Sequence, residues 1–158
     1  MTENYLQILI ESLEKKQVLL EKVGSLNEKQ AEMLMQEQVD KEAFDRSMDE
    51  KQELIDGLNQ LDDGFQKTYE LVRDAVQQNQ KAYLPQLRRL KEQVNLVVEQ
   101  GVSIQAQEER LKQKVSAMLR KEYEGLHQKR LSAKVTEGYY KNMQLINTVD
   151  PQLMNKRK

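Results

Sequence analysis

The sequence predicts an all-α protein: an elongated, antiparallel, three-helix coiled-coil-like bundle, followed by a partly helical or flexible C-terminal segment. Charged residues make up 32% of the 158 residues and aromatic residues only 5%, a composition too polar for a thick globular core. Leu, Glu, Lys, Gln and Met recur throughout, and all are good helix formers. Two long stretches also place apolar residues at alternating spacings of three and four, which is the periodicity of packed helices.

The first predicted helix covers residues 3–36. Thr2 stands where an N-cap is needed, because its hydroxyl could accept a hydrogen bond from the first helical turn. Apolar residues then recur on one side of the helix, and the pattern weakens after Gly24. The apolar positions are Leu6, Leu9, Ile10, Leu13, Leu20, Val23 and Leu34.

The second predicted helix covers residues 41–79, and Asp40 is its expected N-cap. Its long seam is mostly apolar, and Leu54, Leu61 and Leu71 widen the stripe. The seam positions are Phe44, Met48, Lys51, Ile55, Leu58, Asp62, Phe65, Tyr69, Val72 and Val76. A stripe this long indicates a helix that packs against its neighbours over its whole length.

The third predicted helix covers residues 85–125. Pro85 suits a first helical turn, and it disfavours a helical conformation at Leu84, so we expect a break near residues 80–85. Eight of the ten positions along the seam of this helix are apolar. They are Leu87, Leu90, Val94, Val97, Gly101, Ile104, Glu108, Leu111, Val115 and Met118.

Three helices of similar length with short connections favour an up-down-up bundle. Beyond Leu126 the seam turns polar, and we therefore divide the chain into a helical bundle, residues 1–126, and a C-terminal segment, residues 127–158. Glycines inside the predicted helices weaken them, and we interpret them as points of close helix approach or of bending. They are Gly57, Gly64 and Gly101.

The net charge of −1 hides an asymmetry along the chain. Residues 1–79 carry 9 Lys and Arg against 18 Asp and Glu, residues 80–126 carry 9 against 6, and residues 127–158 carry 7 against 2. We interpret the asymmetry as charge that steers the helices into register. Nucleic-acid binding is the alternative, and the acidic first half argues against it.

No catalytic, metal or cofactor site is predicted. The chain has no cysteine and one histidine, His127. His127 completes a single Glu-x-x-His spacing with Glu124, whereas a di-metal bundle needs two copies and further glutamates. Asp62 and Asp63 lack calcium-loop spacing and are expected on a solvated helix face. Without a phosphate loop or a histidine-based triad, we predict that the protein is not an enzyme.

The N-terminal residues and the hydropathy of the chain indicate a cytoplasmic protein. Residues 1–16 lack a basic leader followed by an apolar core, which a secretory signal would show. No run approaches the roughly 18 apolar residues of a membrane span. We therefore expect no membrane span.

The stretch EKQELIDGLNQLDDGF, residues 50–65, resembles the second-helix signature of the FlgN-type flagellar export chaperones. Lys129, Arg130 and the run from Tyr139 to Met143 resemble the C-terminal region of the same family. The resemblance implies a cytoplasmic chaperone that binds flagellar hook-associated (hook-filament junction) proteins before export through the flagellar type III secretion apparatus. Such a chaperone would prevent premature assembly of its clients and would meet components of the export apparatus.

The same resemblance implies client contact by the C-terminal region, residues 131–146 here. Independently of the family, Tyr139, Met143 and Ile146 would share one face of a helix, and aromatic residues and methionine are common interface anchors. The candidate client-binding residues are Leu131, Val135, Tyr139, Tyr140, Met143, Leu145 and Ile146.

Several alternatives stay open at this point. The C-terminal segment could fold back as a short fourth helix, or it could be an unused disordered end. The sister class of filament-cap chaperones shares the size and helical character of the predicted protein. A structural coiled-coil adaptor, in which the long seams bind other chains or a second copy, is the second function class.

Overall fold

A computed structural model describes residues 1–124 of the chain as three long α-helices. Helix α1 spans Thr2–Leu34, α2 spans Lys41–Gln78 and α3 covers Leu84–Glu124, with a 3-10 turn at Gln80–Tyr83 between α2 and α3. The predicted all-α bundle is therefore confirmed. The predicted helix limits lie within two residues of these bounds, although Glu124 is also the last residue described. The proposed division at residue 126 lies outside the described residues.

The two predicted N-caps have different outcomes. Asp40 caps α2 as predicted, because its side-chain Oδ1 accepts a hydrogen bond from the Ala43 N–H at 3.1 Å. The prediction for Thr2 is wrong, since Thr2 is already helical and Met1 holds the cap position without a side-chain hydrogen bond. The Met1 carbonyl accepts from the Tyr5 N–H at 3.1 Å, so the helix begins one residue earlier than the hydroxyl pattern suggests.

The predicted break near residues 80–85 is confirmed, since a 3-10 turn occupies Gln80–Tyr83 between α2 and α3. Asn79 leaves the helical region with φ −145° and ψ 61°, whereas Leu84 has φ −53° and ψ −46°. Leu84 is thus the first residue of α3, and the prediction that Pro85 keeps it out of the helical conformation is wrong. The preference imposed by a following proline is a bias, and here Asn79 and the 3-10 turn have already redirected the chain.

Side-chain contacts give the directions of the helices. Lys16 pairs with Asp62 and Gln30 with Ser47, so positions on α2 fall as those on α1 rise, and these two helices are antiparallel. Helix α1 also packs along α3, while the backbones of α2 and α3 come close together at very few points. The result is the predicted up-down-up order with α1 between the other two helices.

The apolar core consists of two clusters separated by a polar layer. The larger cluster lies toward the N-terminal end of α1, and the smaller one contains Phe44, Met48, Leu111 and Val115. Full burial of one such side chain contributes about 1.5–3 kcal/mol, so both clusters stabilise the bundle. The polar layer between them contains Asn27, Gln30, Ser47, Lys51, Gln107 and Glu108.

Two of the interior glycines differ in what surrounds them. A Cβ placed on Gly57 would lie 3.2 Å from Leu19 Cδ1 of α1, which confirms the predicted close approach of a neighbouring helix. A Cβ on Gly64 would meet nothing within 4 Å. The prediction of close approach is therefore wrong at Gly64, which lies on the exposed side of a continuous helix. Gly101 is buried in the α3 seam.

Candidate functional site

The predicted client-binding residues lie outside the part of the chain that the structure describes, as does His127. Their shared helical face and the fold-back alternative therefore stay predictions. The residues concerned are Leu131, Val135, Tyr139, Tyr140, Met143, Leu145 and Ile146.

One buried ion pair joins α2 to α3. Lys51 Nζ donates to Glu108 Oε1 at 2.8 Å, and both side chains are 0% exposed. Burial lowers the pKa of Lys51 below its ordinary value, while the charge and hydrogen bond of Glu108 partly oppose that change. A lysine with a lowered pKa can act as a nucleophile or base, but this amine is shut off from any substrate in solution.

A second buried ion pair joins α1 to α2. Lys16 Nζ lies 3.1 Å from Asp62 Oδ1, with side-chain exposures of 1% and 8%. The expectation that Asp62 and Asp63 share a solvated face is therefore wrong for Asp62, whereas Asp63 is exposed. The physical reason is helical spacing: Asp62 follows the buried Leu58 by four residues and precedes the buried Phe65 by three, so it points into the bundle.

The sequence contains a pattern that predicts these buried ion pairs, although classifying the residues simply as charged hides it. Lys51, Asp62 and Glu108 each interrupt an otherwise apolar seam, and a charge at such a position requires a partner from a facing helix. Lys16 was not among the predicted core positions of α1, although it follows Leu13 by three residues. Sequence spacing thus marked three of the four buried charges without showing which of them would pair.

The ion pairs only partly follow the predicted charge asymmetry. Arg89 of the basic part reaches Glu14 of the acidic part at 3.0 Å, as charge steering between the two halves requires. The pair Lys51–Glu108 runs the other way, with its cation in the acidic half and its anion in the basic part. Register at this level of the bundle therefore depends on individual charges that oppose the overall trend.

An open groove lies between the α1–α2 connection and the C-terminal part of α3. Its apolar lining comes from Leu34, Met35, Val39 and Met118, and Met35 is 75% exposed. Methionine side chains adapt to irregular apolar surfaces, so the groove can accept an apolar side chain of another polypeptide. Lysine and carboxylate side chains edge it, including Lys121 and Glu122 on α3.

Residues 1–124 contain no group of three or more His, Cys, Asp or Glu side chains placed to hold a metal ion. The helices in the same range also lack the length and apolar content that crossing a membrane requires.

Comparison of the chain with protein-family models, curated proteins and solved structures found no match.

Proposed function

We propose that this protein is a cytoplasmic export chaperone of the FlgN type, which binds flagellar hook-associated proteins before their secretion. In this proposal the three helices form a platform, and residues 131–146 hold the client. The chaperone prevents premature assembly of the client and delivers it to the flagellar type III secretion apparatus.

The observation that carries this proposal is the position of the FlgN-like segment, residues 50–65, within α2. Its apolar residues Ile55, Leu58 and Phe65 are buried in the bundle, and Asp62 makes the buried contact with Lys16. Several residues that carry the resemblance therefore fix α2 against its neighbours, whereas Asp63 and Gly64 of the same segment are exposed. A signature that coincides with packing positions supports a shared bundle architecture more strongly than matches at solvent positions would.

The end of the bundle where α3 meets the α1–α2 connection supports the proposed role of the C-terminal segment. Lys121 and Glu122 line the groove there, and Glu124 is three residues before the segment begins at residue 127. The exposed Met35 stands at the same end. An apolar groove at the end of the bundle where α3 leads in sequence to the anchor-rich segment suits capture of an amphipathic client helix.

Calorimetric titration tests the proposal directly. The full-length chain and a chain that ends at Arg130 are titrated with hook-filament junction proteins and, separately, with filament-cap protein. We expect the full-length chain to bind a junction protein and the shortened chain to remain helical by circular dichroism but not to bind. Preferential binding of filament-cap protein would place the protein in the sister class.

Three full-length variants locate the contact. Tyr139→Ala and Met143→Ala remove predicted anchors and should each weaken binding at least about fivefold, since loss of a central interface anchor costs more than about 1 kcal/mol. Lys156→Ala, in the same segment but outside residues 131–146, should bind as the unmodified chain does. Equal binding by all three variants would contradict the assignment of the client site.

A structural adaptor is the second candidate, and the exposed apolar side chains favour it. Val18, Leu71 and Val102, one on each helix, are 50%, 65% and 62% exposed, and such residues could join copies of the chain. Sedimentation equilibrium separates the candidates: a concentration-dependent oligomer that persists after truncation at Arg130, without binding to any flagellar client, would favour the adaptor.

A further inference from the structure

Four glutamines recur at intervals of seven residues along one flank of α3. This spacing brings them onto the same side of the helix, and each is half-buried. They are Gln86, Gln93, Gln100 and Gln107. With Gln17 and Asn27 of α1, they form a row of carboxamide side chains that we call the amide seam.

The hydrogen bonds of the amide seam join α1 to α3. Gln17 Nε2 donates to Gln93 Oε1, and Gln100 Nε2 donates to the backbone carbonyl of Gln17 at 3.3 Å. Farther along, Asn27 Nδ2 donates to Gln107 Oε1 at 3.1 Å. Within residues 1–124, no group donates a hydrogen bond to the side-chain oxygens of Asn27, Gln86 and Gln100. Buried acceptors without a donor reduce stability, so this flank is weaker than the number of its polar groups suggests.

The flank between α1 and α2 is built differently. Leu19 and Leu54 pack against the apolar core from opposite helices, and Leu26 lines the same surface groove beside them. At Gly57 the two helices come so close that a Cβ would lie 3.2 Å from Leu19 Cδ1. Apart from the Lys16–Asp62 and Gln30–Ser47 contacts, this flank is apolar and closely packed, so separating α1 from α2 would expose hydrocarbon to water.

We infer that α3 is the helix that detaches: the bundle opens along the amide seam while α1 and α2 stay together as a hairpin. Detachment of either outer helix uncovers its buried apolar residues, such as Val94 and Val97 of α3, and breaks the Lys51–Glu108 pair, so the two flanks of α1 decide which helix leaves. Water can replace amide hydrogen bonds at small net cost, whereas it cannot replace apolar contacts. This opening is a property of the helical bundle and does not rest on the proposed export role.

Native-state hydrogen exchange on the full-length chain, read residue by residue at low denaturant, tests this opening. If α3 opens alone, its slowest amides exchange at least about tenfold faster than the slowest amides of α1 and α2, because they report a smaller local opening free energy. One common exchange rate for the slowest amides of all three helices would overturn the inference, and this measurement needs no variant.

Substitution in the amide seam then tests the cause. The double variant Gln93→Leu and Gln100→Leu makes the α3 flank apolar and should slow the exchange of α3 amides about tenfold relative to α1 and α2. The control is Gln52→Leu with Gln66→Leu, which changes two equally half-buried glutamines on α2 and should leave the relative exchange of α3 unchanged. Equal slowing in all three helices, or the same effect from the control, would contradict the role of the amide seam.

Discussion

Lys51 Nζ on α2 lies 2.8 Å from Glu108 Oε1 on α3, and solvent reaches neither side chain. The pair lies in the polar layer between two apolar clusters, so each charge has exchanged its hydration for its partner and the surrounding dipoles. Removing two charges from water costs free energy that their attraction does not always recover. We therefore expect the pair to contribute more to the alignment of α2 with α3 than to stability.

Replacing one or both members of this pair tests how much the pair contributes to the stability of the bundle. Lys51→Met should lower the free energy of unfolding by about 3–5 kcal/mol, because it leaves Glu108 buried without its cation. Lys51→Met combined with Glu108→Leu should restore stability to that of the unmodified chain or raise it by about 1–4 kcal/mol. Urea denaturation of the two single variants and the double variant measures these values. A double variant less stable than both single variants would contradict this account.

The lowered pKa of Lys51 predicts a dependence of stability on alkaline pH. Desolvation by burial is the main cause of the lowering, and Glu108 opposes it. Between the lowered folded-state pKa and the ordinary value of 10.5, the unfolded chain holds this proton and the folded chain does not, so the free energy of unfolding rises with pH. At a pH below the folded-state pKa, Lys51 is protonated in both the folded and the unfolded chain. The folded chain then bears the full free-energy cost of burying the Lys51 ammonium.

The measurement is the difference in unfolding free energy between the unmodified chain and the Lys51→Met, Glu108→Leu variant from pH 7 to pH 10.5. Apart from Glu108, the other titrating groups are common to both chains, so their contributions cancel in the difference. We expect the unmodified chain to gain stability relative to the variant as the pH rises toward 10.5. A difference that is constant over this range would show that Lys51 does not titrate below its ordinary pKa.

Adjacent aspartates on α2 offer a matched comparison of buried and exposed charge. Asp62→Ala should destabilise the protein by about 3–5 kcal/mol, because it leaves the buried Lys16 without this carboxylate, whereas Asp63→Ala should change stability by no more than about 0.5 kcal/mol. Thermal and urea unfolding of both variants provide the test. Similar small effects at both positions would support the sequence-based expectation that the two residues share a solvated face.

The two glycines one heptad apart on α2 should respond differently to alanine. Gly64→Ala should stabilise the protein by roughly 1 kcal/mol, because alanine is the better helix former and the new Cβ meets nothing within 4 Å. Gly57→Ala should gain less or become destabilising, since Leu19 Cδ1 lies 3.2 Å from the new Cβ and would have to move. Urea denaturation of both variants is the measurement. If helix propensity alone mattered, both variants would gain the same free energy of unfolding.

Much of the helical architecture could be predicted from the sequence because its cause is local. Heptad spacing marks the buried side of each helix, and the Asp40 side chain has the chemistry that an N-cap needs. The errors occurred where local preference was overruled or neighbours mattered. Leu84 is helical despite Pro85, Gly64 faces open space, and Asp62 points inward beside an exposed Asp63.

Residues a few positions apart are enough to predict that the chain forms three long helices and which side of each helix is apolar, because these properties are local. The Lys51–Glu108 and Lys16–Asp62 contacts, and the position of a glutamine flank of α3 against α1, are visible only in the folded protein. Heptad periodicity predicts which face of each helix is buried, but it does not predict which helix packs against that face. That assignment depends on the axial register and order of helices distant in sequence, where a buried charge must meet its counterion.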